Sequence, residues 1–202
     1  GLFCAGVALS AVLCAPCASA KDEVVSADTK NLTVSSKVEG NVLAGGYTTD
    51  ETVSGNKITI VSGAEIATYT DASGEHGGYV YGGLSRNGAV TDNCVEMTGG
   101  AVTKNLLGGY SAGSGAVNSN TVTINGGSVL DGIRGGQSAG GAVTGNTIDL
   151  NGGQVAGKAY AGYSNNGTVT GNTINLNGAN GIDITKAWLY GSNATATGQN
   201  NN

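Results

Sequence analysis

Three stretches of the chain closely repeat one another: Asn120–Ile124 (NTVTI), Asn146–Leu150 (NTIDL) and Asn172–Leu176 (NTINL). Their first residues are 26 positions apart each time, and two looser versions come earlier, at Asn93–Met97 (NCVEM) and Asn56–Ile60 (NKITI). Self-similarity at a fixed interval of about 20–50 residues is typical of solenoids and propellers, whose repeats pack on their neighbours. The repeat is therefore the strongest guide to the fold.

Glycine pairs recur with the same spacing. The pairs are Gly45-Gly46, Gly82-Gly83, Gly108-Gly109, Gly135-Gly136 and, as a variant, Ala161-Gly162. The intervals between their first residues are 37, 26, 27 and 26. The asparagine stretches also contain one interval of 37 in the same repeat. Both markers predict an insertion of about eleven residues there, and we place it at Thr70–Gly78.

Within the asparagine stretches, apolar and polar residues alternate with the period of two that a β-strand requires. The inward positions form two apolar columns: Ile58, Val95, Val122, Ile148 and Ile174, and Ile60, Met97, Ile124, Leu150 and Leu176. The outward positions are mostly polar: Lys57, Thr59, Cys94, Glu96, Thr121, Thr123, Thr147, Asp149, Thr173 and Asn175. The pattern indicates one buried and one exposed face.

Further strands are predicted in each repeat. The inward column of a second strand, which precedes the glycine pair, is Leu43, Val80, Leu106, Ile133, Ala159 and Trp188. Val129 and Val155 indicate a third, very short strand. Two or three short strands cannot enclose a core alone, so each repeat must bury its apolar face on the next. We therefore predict an all-β, parallel β-helix (β-solenoid) with rungs of about 26 residues.

The recurring inward asparagines have a predicted structural role. Asn56, Asn93, Asn120, Asn146 and Asn172 occupy the same point of successive repeats. An amide side chain both donates and accepts hydrogen bonds, so stacked amides can form a ladder along the axis. We expect a polar ladder inside an otherwise apolar tube.

Composition excludes several classes of protein. Glycine supplies 37 of the 202 residues, but there is one proline and no Gly period of three, which excludes collagen. A hydrophobic content of 39% with a net charge of −5 argues against charge-driven disorder. The absence of a Lys/Arg cluster argues against nucleic-acid binding.

The first twenty residues read as a removable export signal. Residues 2–16 carry no charge and are mostly apolar, and Ala18 and Ala20 are the small residues that precede cleavage before Lys21. We expect this signal to be N-terminally incomplete, and lipidation at Cys17 is a weaker alternative. Cys94 is then the one cysteine of the mature chain, which excludes a disulfide framework. The predicted organisation is a signal (1–20), a cap or lead-in (21–37) and the solenoid (38–202, C-terminally incomplete).

Residues that could carry chemistry are few. His76, the only histidine, lies beside Glu75 in the predicted insertion, where a solvated surface pair is favoured over a metal or acid–base site. Glu96 and Asp149 belong to different rungs, whereas glycoside hydrolysis needs two carboxylates at a defined separation. We predict no catalytic residue, no metal and no cofactor.

Aromatic residues offer one alternative. Tyr47, Tyr110 and Tyr163 follow a glycine pair in alternate repeats. Their simpler interpretation is a partly exposed packing column, and the alternative is an aromatic strip that stacks on sugar rings.

The removable signal followed by glycine-, asparagine- and threonine-rich units of the form GGYS…GNTIxLNGG resembles the passenger regions of bacterial autotransporters and related adhesin-like outer-membrane proteins. The resemblance covers about residues 38–202. It implies a right-handed β-helix exported to the cell surface or outer membrane, or secreted, with a C-terminal translocator barrel that this sequence does not contain.

We therefore expect a noncatalytic, surface-displayed β-helix that presents a Thr/Asn-rich face for adhesion. The expected partners are a host surface, matrix or glycan ligand, or a second copy bound through the solenoid edges. The alternative is an extracellular glycan-active β-helix enzyme, a lyase or hydrolase, with its site beside Thr70–Gly78. A trimeric adhesin head would need a period near fourteen residues, which the spacing does not support.

Overall fold

The computed structural model describes residues 22–24, 30–46 and 50–194. The predicted export signal, with Ala18, Ala20 and Lys21 at its cleavage site, lies outside these residues, as does Tyr47. The described chain is all β and has no helix, so it offers no helical segment able to cross a membrane.

The strands are short and follow one another at regular intervals. In chain order they are β1 (Asp22–Val24), β2 (Asn31–Val34), β3 (Lys37–Glu39), β4 (Asn41–Gly46), β5 (Val53–Ser54), β6 (Lys57–Ile60), β7 (Glu65–Asp71), β8 (Gly74–Gly77), β9 (Val80–Ser85), β10 (Val90–Thr91), β11 (Cys94–Met97), β12 (Ala101–Val102), β13 (Leu106–Ser111), β14 (Val117–Asn118), β15 (Thr121–Ile124), β16 (Ser128–Val129), β17 (Ile133–Ser138), β18 (Val143–Thr144), β19 (Thr147–Val155), β20 (Lys158–Ser164), β21 (Val169–Thr170), β22 (Thr173–Asp183) and β23 (Trp188–Ala194).

Apart from β8, each strand pairs in parallel with the equivalent strand of the neighbouring turn, which makes the molecule a β-solenoid of about six turns of about 27 residues. The prediction of the fold is confirmed. One sheet contains seven strands, in the order β1-β4-β9-β13-β17-β20-β23. A second contains five, and the largest holds the asparagine strands together with the third, shorter strands. The pairing begins before residue 38, because β2 pairs with β6 and β3 with β7.

The two apolar columns of the asparagine strands line the interior. Val95 pairs with Val122, and Val122 with Ile148, and all three are fully buried. Leu176 pairs with Leu150 in the same register, but its side chain is 52% exposed because no further turn covers it within the described residues. The core is therefore continuous along the axis, as the alternation predicts.

The predicted column of the second strand is wrong at both ends. In the structure, Val42 and Leu189 fill the first and last inward positions, whereas Leu43 pairs with Tyr81 and Trp188 pairs with Lys158. The register of β4 shifts after Leu43, and β22 is irregular, so constant spacing from the glycine pairs misplaces these residues by one. The shift leaves the Trp188 side chain 66% exposed.

The predicted third strand is present, and the structure adds a sheet that the sequence did not indicate. Val129 lies in β16 and Val155 ends β19. The additional sheet contains the two-residue strands β5, β10, β14, β18 and β21. Their valines Val90, Val117, Val143 and Val169 form a separate buried cluster. Each regular turn therefore has four strand segments.

The glycine pairs lie inside strands of the seven-stranded sheet and not at corners, as in Gly108-Gly109 of β13. A Cβ atom on Gly108 would lie 2.5 Å from the carbonyl oxygen of Gly135 in the next turn. One on Gly109 would lie 2.6 Å from Nδ2 of Asn120. The pairs are therefore required because the sheet packs directly on the neighbouring turn and on the asparagine side chains.

The predicted insertion forms a β-hairpin. Strands β7 and β8 pair antiparallel, with Thr68 opposite Gly77 and Asp71 opposite Gly74. The first part of β7 remains in the parallel sheet, where Ile66 pairs with Val102. The extra residues therefore project from one turn while the stacking continues past them.

A charge on an inward position should disrupt the stack. We expect Val122→Asp to lower the free energy of unfolding by about 3–5 kcal/mol, because it buries an unpaired carboxylate between two turns. The matched control is Thr121→Asp, which places the same charge on the outward side of β15 and should cost less than about 1 kcal/mol. Chemical denaturation measures the free energy of unfolding of both variants. Equal losses would contradict the assignment of Val122 as inward and Thr121 as outward.

Glycine substitution tests the close packing. Gly109→Ala should destabilise the protein by about 1–3 kcal/mol, because its Cβ overlaps the Asn120 amide. Gly46→Ala is the control, since nothing lies within 4 Å of a Cβ atom there. Thermal melting distinguishes the two, and a neutral Gly109→Ala would show that the pair has no steric role.

Candidate functional site

The five predicted asparagines form one buried column. The Nδ2 of each donates to the Oδ1 of the next, at 2.8 Å from Asn56 to Asn93 and 2.9 Å for each later step through Asn120, Asn146 and Asn172. Each Oδ1 also accepts from the backbone N–H of the preceding asparagine, at 2.9–3.1 Å. The side chains therefore link adjacent turns directly.

The second N–H of these amides is also satisfied. The Nδ2 of Asn146 donates to the carbonyl of Val117, at 3.0 Å, and to that of Thr144, at 3.2 Å. Asn172 repeats this arrangement with Val143 and Thr170. Because donors and acceptors are used within the solenoid, the column is suited to holding turns together and not to binding a ligand.

A serine column, which the sequence reading missed, lies beside the ladder. Ser85, Ser111, Ser138 and Ser164 follow the glycine pairs and are fully buried. The Ser138 Oγ donates to the Gly115 carbonyl of the previous turn, at 2.9 Å, and accepts from the N–H of Gly141, at 2.8 Å. The serine that recurs in the GGYS unit is the sequence feature from which this column could have been predicted.

The outward side of the asparagine strands is polar, and its side chains bond between turns. We call the row Thr121, Thr147 and Thr173, with the neighbouring Asn125, Asn151 and Asn177, the threonine–asparagine face. In it, Asn177 donates to Asn151 at 2.6 Å, and Asn151 to Asn125 at 2.8 Å. Stacking thus repeats the same chemical groups at the strand spacing of about 4.8 Å.

Cys94 and the outward acids occupy the same sheet. Burial raises the pKa of the Cys94 thiol, which disfavours the reactive thiolate. Glu96 forms an ion pair with Lys57 at 2.9 Å, and Thr123 separates it from Asp149 in their column. The two carboxylates are therefore two strand spacings apart.

The charged side chains of the hairpin pair with oppositely charged groups nearby. His76 Nε2 lies 3.2 Å from an oxygen of Asp71, and Glu75 pairs with Lys104 at 2.6 Å. Hydrogen bonds from Ser73, more than the nearby His76, lower the pKa of Asp71 to about 2. In the described part of the chain, no three His, Cys, Asp or Glu side chains are grouped to hold a metal.

Tyrosines on the outward side of the seven-stranded sheet form two groups, in each of which one ring, Tyr81 or Tyr160, is buried by its neighbours. Rings of Tyr79, Tyr81 and Tyr110 stack with centroids 5.8–5.9 Å apart. Tyr160 stacks on Tyr190 at 4.8 Å and lies 5.5 Å from Tyr163. Of the predicted tyrosine column, Tyr110 and Tyr163 flank Gln137 in register.

A surface cavity of about 570 Å³ adjoins the second tyrosine group. We call it the Arg134 cavity, and its lining residues are Asn105, Asp131, Arg134, Ala156, Gly157, Lys158, Tyr160, Tyr163, Lys186 and Trp188. They come from strands β17, β20 and β23 and from the segments that lead into the seven-stranded sheet. Of the candidate residues in the sequence analysis, Tyr163 lines this cavity, whereas Glu75, His76, Glu96 and Asp149 do not.

Comparisons with protein families, with curated proteins and with solved structures found no match. The relation to autotransporter passengers therefore stays a prediction from the export signal and the repeat.

The ladder yields a direct test. Asn146→Leu should lower the free energy of unfolding by about 1–3 kcal/mol, because it removes the acceptor used by Asn120 and the donor to Asn172 inside the solenoid. Asn177→Leu is the matched control on the exposed outer row and should change stability little. Thermal melts of both variants measure the difference, and an unchanged midpoint for Asn146→Leu would contradict a stabilising ladder.

Proposed function

We propose that this chain is an exported, surface-displayed and noncatalytic adhesive solenoid, of the kind found in autotransporter passengers. The observation that carries the proposal is the threonine–asparagine face. In-register stacking presents the same hydroxyl and amide groups in three successive turns along one side of the molecule, next to Cys94 and Lys57 in the same column. Such a repeated polar surface can bind an extended partner through many weak, identical contacts.

The interior supports this role. The ladder asparagines are buried and bond to adjacent turns, as Asn120 does to Asn146; Ser138 of the serine column bonds to the previous turn, and the apolar columns pack between turns. Stability is then shared between neighbours, as in other repeat proteins, and does not depend on the outward residues. The outer face is free to be specialised for contact.

Export is supported by the sequence. The uncharged run over residues 2–16 and the small residues before Lys21 are typical of a removable signal. Because the strands of each described turn pair with those of its neighbours, a chain exported in an unfolded state could then stack turn by turn. The proposal therefore includes both display at the cell surface and adhesion.

Adhesion is tested with the purified chain on beads, applied to matrix-coated plates and to cells. Thr147→Arg should reduce attachment several-fold without lowering the melting temperature, because it places a bulky cation in the middle of the threonine–asparagine face. Thr168→Arg, at an exposed position in another part of the turn, is the control and should attach normally.

The same preparation is incubated with a panel of polysaccharides and assayed for new reducing ends. Attachment without turnover supports the adhesive role. Turnover that is lost in Glu75→Gln would contradict it and favour the glycan-active alternative at the hairpin.

A further inference from the structure

The Arg134 cavity concentrates positive charge in an acidic protein. Arg134, Lys158 and Lys186 line it together with a single carboxylate, Asp131, although the chain carries a net charge of −5. The Asp131 carboxylate accepts a hydrogen bond from the side-chain amide of Asn105, at 2.9 Å. Among the described residues, none of the three cations forms an ion pair within 4.0 Å.

One further carboxylate lies near this group. The pKa of Asp183 is lowered first by hydrogen bonds from Thr185, then by one from Gln154, and only last by the charge of Lys186. Its oxygens are thus already engaged by Thr185 and Gln154. The cavity keeps an excess of positive charge for a ligand.

The Arg134 side chain is held in place by its neighbours, but one of its hydrogen-bond donors has no acceptor. Its guanidinium carbon lies 5.4 Å from the ring centre of Tyr163 and 6.0 Å from that of Tyr160, and Nη1 donates to the side-chain oxygen of Gln137. Its Nε is buried and has no hydrogen-bond partner. A buried donor without an acceptor is costly, so a shift of the Arg134 side chain that opens this edge to a ligand would be favoured, and a carboxylate is the acceptor that best matches an arginine edge.

The cavity also offers an aromatic platform. Trp188 lines it with an indole that is 66% exposed, beside the stacked rings of Tyr160 and Tyr190. Exposed aromatic rings at a cavity are suited to pack against the apolar C–H face of a sugar while polar groups around them hold its substituents. A volume of about 570 Å³ lies within the range of small-ligand sites, which is about 300–1,000 Å³.

We propose that the Arg134 cavity binds a carboxylated saccharide, with the carboxylate on Arg134, Lys158 and Lys186 and the sugar ring against Trp188. The chemistry shared by hexuronates and sialate-type sugars is an acidic group on a pyranose ring, and the cavity supplies a partner for each part. A nucleic-acid strand also combines charge with stacking, but it needs a cationic track along several phosphates, whereas these cations are confined to one cavity. The site lies on a different sheet from the threonine–asparagine face, so either proposal can fail alone.

The protein contains its own reporter for this site. Trp188 is the only tryptophan of the chain, so tryptophan fluorescence monitors the cavity directly. We expect a short oligogalacturonate to shift the emission to shorter wavelength as the indole leaves water. The neutral, methyl-esterified oligosaccharide should bind at least about tenfold more weakly, because it lacks the charge that Arg134 recognises. Added salt should weaken binding of the acid form.

Substitutions distinguish binding at the cavity from a general effect of the protein's charge on oligogalacturonate binding. Arg134→Gln should weaken oligogalacturonate binding at least about tenfold, and Lys186→Gln, in an exposed turn, should weaken it less. Arg86→Gln is the matched control, since Arg86 is the other arginine of the chain and pairs with Asp50 outside the cavity. Far-UV spectra establish that each variant keeps its β structure, and Lys186→Gln provides the test if Arg134→Gln does not fold.

A parallel titration with N-acetylneuraminate distinguishes a sialate from a hexuronate source of the acidic sugar. Three results would overturn the proposal: unchanged Trp188 fluorescence with both acidic sugars, equal affinity for the neutral oligosaccharide, or tighter binding of a single-stranded oligonucleotide. Normal attachment of Thr147→Arg together with the expected fluorescence titration would overturn the adhesive role of the threonine–asparagine face and leave the proposal for the cavity standing.

Discussion

The structure depends on one hydrogen-bonding arrangement, in which the Oδ1 of each ladder asparagine accepts both the backbone and the side-chain N–H of its predecessor. Two bonds to one oxygen fix the distance and the direction between adjacent turns. Apolar columns alone would tolerate a slip of two residues, which keeps the same side chains inward, because hydrophobic contact is not directional. A satisfied polar group inside the tube therefore specifies the register in which the apolar columns meet.

This requirement also explains the small residues of the seven-stranded sheet. The ladder lies directly beneath it, and in every pair except the first the second glycine approaches an asparagine amide: a Cβ atom added to Gly136 would lie 2.6 Å from Nδ2 of Asn146. A larger side chain would separate the sheet from the ladder. The second glycines of these pairs follow from close packing against a buried polar column, whereas other glycines, such as Gly127 and Gly153, are required by a positive φ.

The sequence predicts the features that every turn must share. The period, the inward columns and the positions of the ladder asparagines follow from it because one physical constraint acts at the same place in each repeat. The irregular parts could not be predicted in this way. Leu43 and Trp188 were wrongly assigned to the inward column, because the end turns depart from the common spacing. The valine sheet was missed because a two-residue strand such as Val117–Asn118 is too short to show a period.

The Arg134 cavity could not be found in the same way. Arg134 stands where the neighbouring turns have Leu107 and Tyr160, so it is an exception to the repeat. Comparison between repeats emphasises what is common, whereas this cavity is built from residues that differ between turns and are brought together by stacking. Three-dimensional placement was needed to recognise them as a group.

The equivalence of successive turns has a consequence for how such a chain can change length. Every regular turn offers the same donors on one side and the same acceptors on the other, so duplication or loss of one complete unit would rejoin matching surfaces. A deletion of part of a unit would instead set an asparagine opposite an apolar side chain. Gene rearrangements in whole units are therefore the ones that this architecture tolerates, and the hairpin between Thr68 and Gly77 shows the other permitted change, a projection that leaves the stacked part intact.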